Sequence, residues 1–191
     1  MKISEEVISG IVICLGSLLF LIAAFSPSSR VFGASTAEKK LAVINASMRG
    51  WWISQALFGS GAIITVLGVG LLAFSLRWLP ANLIYVIAGL LLVGAVSWSR
   101  HVYLRAMDPQ AFVAGALPAW HFILYTLLTL AGFFLLGFES LRLFGFYAWQ
   151  GWLLMGATLL FFVAYLIFKD LPPFVHYLLG LVLGVSLILS G

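Results

Sequence analysis

Charge is what this chain has least of. Only 8% of its residues are Asp, Glu, Lys or Arg, against roughly 25% in soluble globular domains. So few charges cannot clothe a surface that meets water on all sides, which excludes an ordinary soluble domain. Cysteine is almost absent as well. The single Cys14 lies inside the first apolar run, so disulfides, paired-cysteine redox motifs and cysteine-rich metal sites are excluded, and Cys14 reads as a small buried residue. No apolar run carries an ionisable residue at its middle, where ion paths and proton relays are marked. That argues against a proton pump or a carrier of charged substrates. The net charge of +4 comes from 10 Lys and Arg against 6 acids, with no basic cluster interleaved with aromatics, so nucleic acid is not a partner. Acid pairs with metal-binding spacing are missing from the apolar runs, which weighs against metal-assisted phosphoryl or prenyl transfer. Gly59, Ser60 and Gly61 lack the longer alternating-glycine pattern of a nucleophile elbow.

What is present is grease: 63% of the 191 residues are apolar. A bilayer core about 30 Å thick takes roughly 20 apolar residues per helical crossing. The chain therefore reads as all-α, a polytopic membrane protein with six transmembrane helices in one bundle and one domain, spanning about 7–25, 51–74, 80–98, 120–138, 147–168 and 174–189. Glu5 and Glu6 stand where a signal peptide is basic, so the first run is expected to be a retained helix. Ser26, Pro27, Ser28 and Ser29 stop it. Two short interfacial helices are expected, near 35–49 and 109–114. In the first, Ser35 and Glu38 have capping-box spacing and Leu41, Ile44 and Met48 share a face. An unbroken helix over 35–74 would be about 60 Å long, about twice the hydrocarbon thickness, so a bend is predicted near Gly50. In the second, Asp108 and Pro109 form an N-cap and first-turn pair and Gly115 a stop, inside a polar crossing over 99–118. Trp51 and Trp52 mark the headgroup level.

Six crossings put the loops after the first, third and fifth helices on one side, together with His101, His121 and His176. That side carries Arg30, Lys39, Lys40, Arg49, Arg100, Arg105 and Lys169, whereas the other has Lys2, Arg77 and Arg142. The positive-inside rule then makes the histidine side cytoplasmic, with both termini outside.

The stretch from Trp98 to Tyr125 is the richest in chemistry. His101 follows Trp98 by three residues and precedes Arg105 by four, so on a helix the three share a face. His176 is followed at four-residue steps by Gly180 and Gly184, a stripe suited either to a flat macrocycle or to a close helix contact, the commoner use. The leading expectation is a planar hydrophobic ligand near the histidine side: b-type haem, with His121 and His176 as the first axial pair and His101 in reserve. Arg49, Arg100 and Arg105 would meet the propionates. Trp98 and Trp120, with Trp51 and Trp52, would wall the pocket, which suits a quinone equally well. The pocket is expected among the second, third, fourth and sixth helices, lidded by 109–114, and would serve electron transfer or sensing rather than catalysis.

Three rivals come from other classes. Arg77, Trp78, Leu79 and Pro80 before Tyr85 echo Lys169, Asp170, Leu171 and Pro172 before Tyr177 at a constant offset of 92 residues, as in the inverted repeats of transporters. That points to a transporter or channel for a small neutral solute. The glycine faces suit a structural or assembly subunit that docks a membrane-protein partner or a second copy of itself. Last comes a metal-dependent hydrolase with His101, His121 and His176 around one ion.

Overall fold

The computed structural model describes residues 4–75, 81–141, 148–168 and 171–190, which are helical with short connections and include no strand. The six expected apolar helices are all present: α1 (Glu5–Ala24), α4 (Met48–Ser75), α5 (Ala81–Met107), α7 (Trp120–Leu141), α8 (Ala148–Phe168) and α9 (Phe174–Ser190). Between them lie the small helices α2 (Arg30–Gly33), α3 (Ala37–Ala46) and α6 (Pro109–Val113). Among the described residues five helices are long and apolar enough to cross a membrane, and the apolar Phe174–Leu189 stretch is shorter. This supports a multi-pass membrane protein.

Local chemistry sets the helix ends. Ser4 caps α1 by accepting from Val7 N at 3.3 Å, with Glu5 and Glu6 in the first turn, where the helix dipole favours anions. Asp108 caps α6 by accepting from Ala111 N at 2.8 Å. Three boundaries differ from the expectation. The cap of α3 is Thr36, which accepts from Lys39 N at 3.3 Å, one residue beyond Ser35. Glu38 is held below the usual carboxylate range by its own backbone N–H and the Thr36 hydroxyl. The break between α3 and α4 falls at Ser47, whose hydroxyl accepts from Gly50 N at 3.2 Å and so starts the next helix before the glycine. Finally, α5 does not end at 98 but continues to Met107. No Pro or Gly interrupts 99–107, and Val102, Arg105 and Ala106 keep one face buried. The polar crossing therefore begins only at Asp108.

The helices pack in the order α9, α1, α4, α5, α7, α8, and Gln150 Nε2 donates to Ser186 Oγ at 2.9 Å to join α8 back to α9. Glycine makes the α1 contacts close. A Cβ on Gly16 would overlap the backbone of Thr65, and one on Gly61 would sit 2.7 Å from Phe20 N. On the other flank a Cβ on Gly184 would sit 2.6 Å from Cys14 Sγ, and one on Gly180 2.6 Å from Ser17 Oγ. The stripe below His176 thus serves a helix contact with α1, the commoner of its two uses. Leu72, Ile87, Leu91, Phe133, Leu136 and Leu187 belong to the apolar core that these contacts enclose. The internal echo rests on residues 77–80 and 169–170, and the charges of Lys2, Arg142 and Lys169 likewise lie outside the described residues.

Candidate functional site

One end of the bundle does not close. A cavity of about 660 Å³ lies between α1, α4, α5, α7 and the first turn of α9, within the roughly 300–1,000 Å³ of small-molecule sites. Phe20, Phe58, Trp98, Phe112, Phe122 and Phe174 give it aromatic walls. Gly115, Ala119 and Pro172 line it and are exposed, which places its mouth at the connections. Gly115 adopts φ 69, the left-handed region that favours glycine, and so ends α6 and turns the chain along the mouth. Phe112 on α6 lines the cavity, where the segment 109–114 is expected to lie over it.

The polar groups of the cavity come from α5. Trp98, His101 and Arg105 all line it, as their helical spacing allows. Trp98 Nε1, His101 Nδ1 and Arg105 Nε and Nη2 are buried and have no hydrogen-bond partner. Arg105 is 3% exposed. Its Cζ lies 4.7 Å from the ring centroids of both Phe32 and Phe112, with the Trp51, Phe58 and Trp98 rings at 5.6, 5.9 and 5.9 Å. Trp51 Nε1 donates to the Arg105 carbonyl oxygen at 3.3 Å, which ties that turn of α5 to α4.

The structure divides the other expected site residues. His176 is 1% exposed. Its Nδ1 lies 3.2 Å from the Pro173 oxygen, and it borders a void of only about 10 Å³ shared with Thr65, Tyr125 and Tyr177. His121 packs under the stacked ring of Trp120, centroids 3.6 Å apart. Its carbonyl oxygen accepts from Ser97 Oγ at 3.0 Å. Neither imidazole borders the large cavity. Trp120, 56% exposed, faces outward. Arg49 and Arg100 are exposed, with Arg100 over the Tyr103 ring at 5.4 Å. Among the described residues no group of three or more His, Cys, Asp or Glu is placed to hold a metal ion. The three-histidine metal site expected from the sequence therefore finds no support among the described residues.

α1 is not among the helices expected to line the pocket, yet Phe20 and Ala24 of α1, Ser29 and Phe32 all line it or meet Arg105. The signal for Phe20 was present: it follows Gly16 by one helical turn, on the face that the glycine brings against α4. No comparable signal exists for Phe32, which sits in a four-residue helix with no periodicity to read. Comparison of the chain with protein-family profiles, with curated protein sequences and with solved structures yields no match, so the functional reading stands on this geometry.

Proposed function

We propose that the chain crosses the bilayer six times and binds a hydrophobic small molecule from the lipid in the cavity, with the polar end of that molecule on the Trp98, His101 and Arg105 face. The shorter α9, with 17 residues, is about 26 Å long at 1.5 Å per residue and spans a thin or lightly tilted crossing. The 27 residues of α5 reach about 40 Å, so Arg105 in its last turn stands at headgroup depth while the rings below it reach into hydrocarbon. On the positive-inside rule that end is cytoplasmic.

One observation carries the reading. An aromatic cavity of ligand size is lined by three polar side chains of a single helix face, each with a buried atom left without a partner. Buried polar atoms are nearly always satisfied in native proteins, so four orphaned nitrogens in one wall of a ligand-sized cavity mark a place where something else supplies the bonds. A quinone fits the class, since its carbonyl oxygens would accept from Trp98 Nε1 and the guanidinium. For haem b, His101 would be the imidazole available to hold the iron and Arg105 the cation available to the propionates. Both uses make the protein a carrier or sensor of the ligand, or a station in electron transfer.

The test is to purify the chain in mild detergent, record its absorption spectrum before and after dithionite, and identify co-purified lipophiles by mass spectrometry. A Soret band that sharpens on reduction identifies haem, and a preparation that stays colourless after haem addition removes it. The cavity reading fails if no lipophile co-purifies and no added amphiphile perturbs Trp98 fluorescence.

A further inference from the structure

We infer that the occupant of the cavity is an anion, an amphiphile with a carboxylate or phosphate head on an apolar chain, and that its head docks on Arg105 between the Phe32 and Phe112 rings. The inference rests on the cavity reading above and narrows it to a ligand class. A guanidinium cannot shed its charge by losing a proton in a protein, so a buried arginine must be compensated from outside itself. Among the described residues no such compensation is present. Arg105 is 3% exposed, two of its nitrogens have no partner, and no carboxylate among the described residues is paired with it. The nearest acid in sequence, Asp108, is exposed and engaged on Ala111 N at 2.8 Å.

The surrounding rings supply part of the missing energy. Aromatic faces attract a guanidinium, and Phe32 and Phe112 hold its Cζ at 4.7 Å on each. That attraction orients the guanidinium but leaves its N–H groups unbonded and its hydration unreplaced. A carboxylate or phosphate meets both needs, because its oxygens accept two parallel N–H bonds and carry the opposite charge. A neutral head, such as a quinone carbonyl or a hydroxyl, accepts a bond without cancelling the charge. The helix ends do not decide the sign. Ala24 and Arg105 bring carbonyl ends of α1 and α5 to the cavity, while Ala119 and Phe174 bring N–H ends of α7 and α9, and their partial charges oppose one another.

The experiment uses the full chain in a non-ionic detergent at pH 8, titrated with 9,10-dibromostearate and, separately, with its methyl ester. Bromine on the chain quenches indole fluorescence, and Trp98 lines the cavity. The acid is expected to bind about thirtyfold or more tightly than the ester, the scale of losing one partner of a buried charge pair. Octadecyl phosphate that displaces the bound acid supports the anion reading and identifies phosphate as the preferred head; failure to displace it assigns the head as carboxylate. Arg105→Gln is expected to abolish the preference for acid over ester, and Arg105→Lys to keep it in weakened form, since an ammonium retains charge without the fork. Equal binding of acid and ester by the unaltered chain overturns the anion inference and leaves the cavity as a site for neutral lipophiles. Absence of binding by acid, ester and alkyl phosphate alike overturns the cavity reading itself.

Discussion

Around His176 the helices close until a void of about 10 Å³ remains, whereas around Arg105 a cavity of about 660 Å³ stays open. Both regions hold buried polar groups without partners: His176 Nε2 and Thr65 Oγ1 in the first, Trp98 Nε1, His101 Nδ1 and two Arg105 nitrogens in the second. What separates them is the volume of the side chains that meet. α1 approaches α4 and α9 over Gly10, Gly16, Gly61 and Gly184, where an added Cβ would strike backbone. Near Arg105 the meeting residues are Phe20, Phe58, Trp98, Phe112 and Phe122. The glycine-faced backbones of α1, α4 and α9 leave no room between them, whereas towards the connections the rings line an open end of the bundle. His176 is therefore sealed, with the Tyr125 and Phe161 rings beside it, whereas Arg105 is left facing a chamber.

The comparison is open to attack from either side. The largest effect is expected at Arg105. If its charge is kept for a ligand rather than for the fold, Arg105→Met should stabilise the ligand-free protein by about 1–4 kcal/mol, since apolar replacements of buried charges often do so. Thermal unfolding in detergent reads this, and a fall in the midpoint would make Arg105 a strut of the fold. Next is the glycine seam. Gly61→Leu should cost about 1–3 kcal/mol through overpacking against the Phe20 and Gly16 backbones, while Gly70→Ala, with nothing within 4 Å of the added atom, should not lower stability. Equal losses at both glycines would show that α1 and α4 do not depend on close approach. Phe112→Ala removes one of the two nearest rings from the guanidinium and should weaken an anionic amphiphile by about 0.5–2 kcal/mol, with faster release through the opened lid. Unchanged dissociation in stopped-flow would refute the lid. The smallest change is expected at Tyr125, whose hydroxyl donates to that of Tyr177 at 3.3 Å. Tyr125→Phe should cost about 0.6 kcal/mol of stability and leave ligand binding intact; altered affinity would mean that the sealed region communicates with the chamber.

Much of the framework was legible in the residues. The apolar runs located the six apolar helices to within a few residues, with α5 as the exception because its end is set by a buried face rather than by a stop signal. Helical counting alone put Trp98, His101 and Arg105 on one face, and the structure places that face in the cavity wall. On sequence, His121 and His176 rank ahead of His101 as ligands because both begin a helix, yet of the three only His101 lines the cavity. Ser97 and Trp120 occupy the surroundings of His121, and Pro173, Tyr125 and the glycine-packed α1 those of His176. Nothing in a one-dimensional pattern distinguishes a helix face that packs closed against its neighbours from one that borders a cavity. Phe32 shows the same limit more sharply, since it reaches Arg105 from a connection with no periodicity.

The residues alone determined that the chain is helical and lipid-soluble, because backbone groups inside a bilayer must be satisfied within each apolar run and composition leaves no other medium for it. They also determined that Trp98, His101 and Arg105 point the same way, since a helix repeats every 3.6 residues whatever surrounds it. Only the tertiary arrangement decided that this face borders a chamber and that His176 does not. That outcome depends on which helix packs against which and on the side-chain volumes at each crossing, quantities set by contacts between residues far apart in the chain.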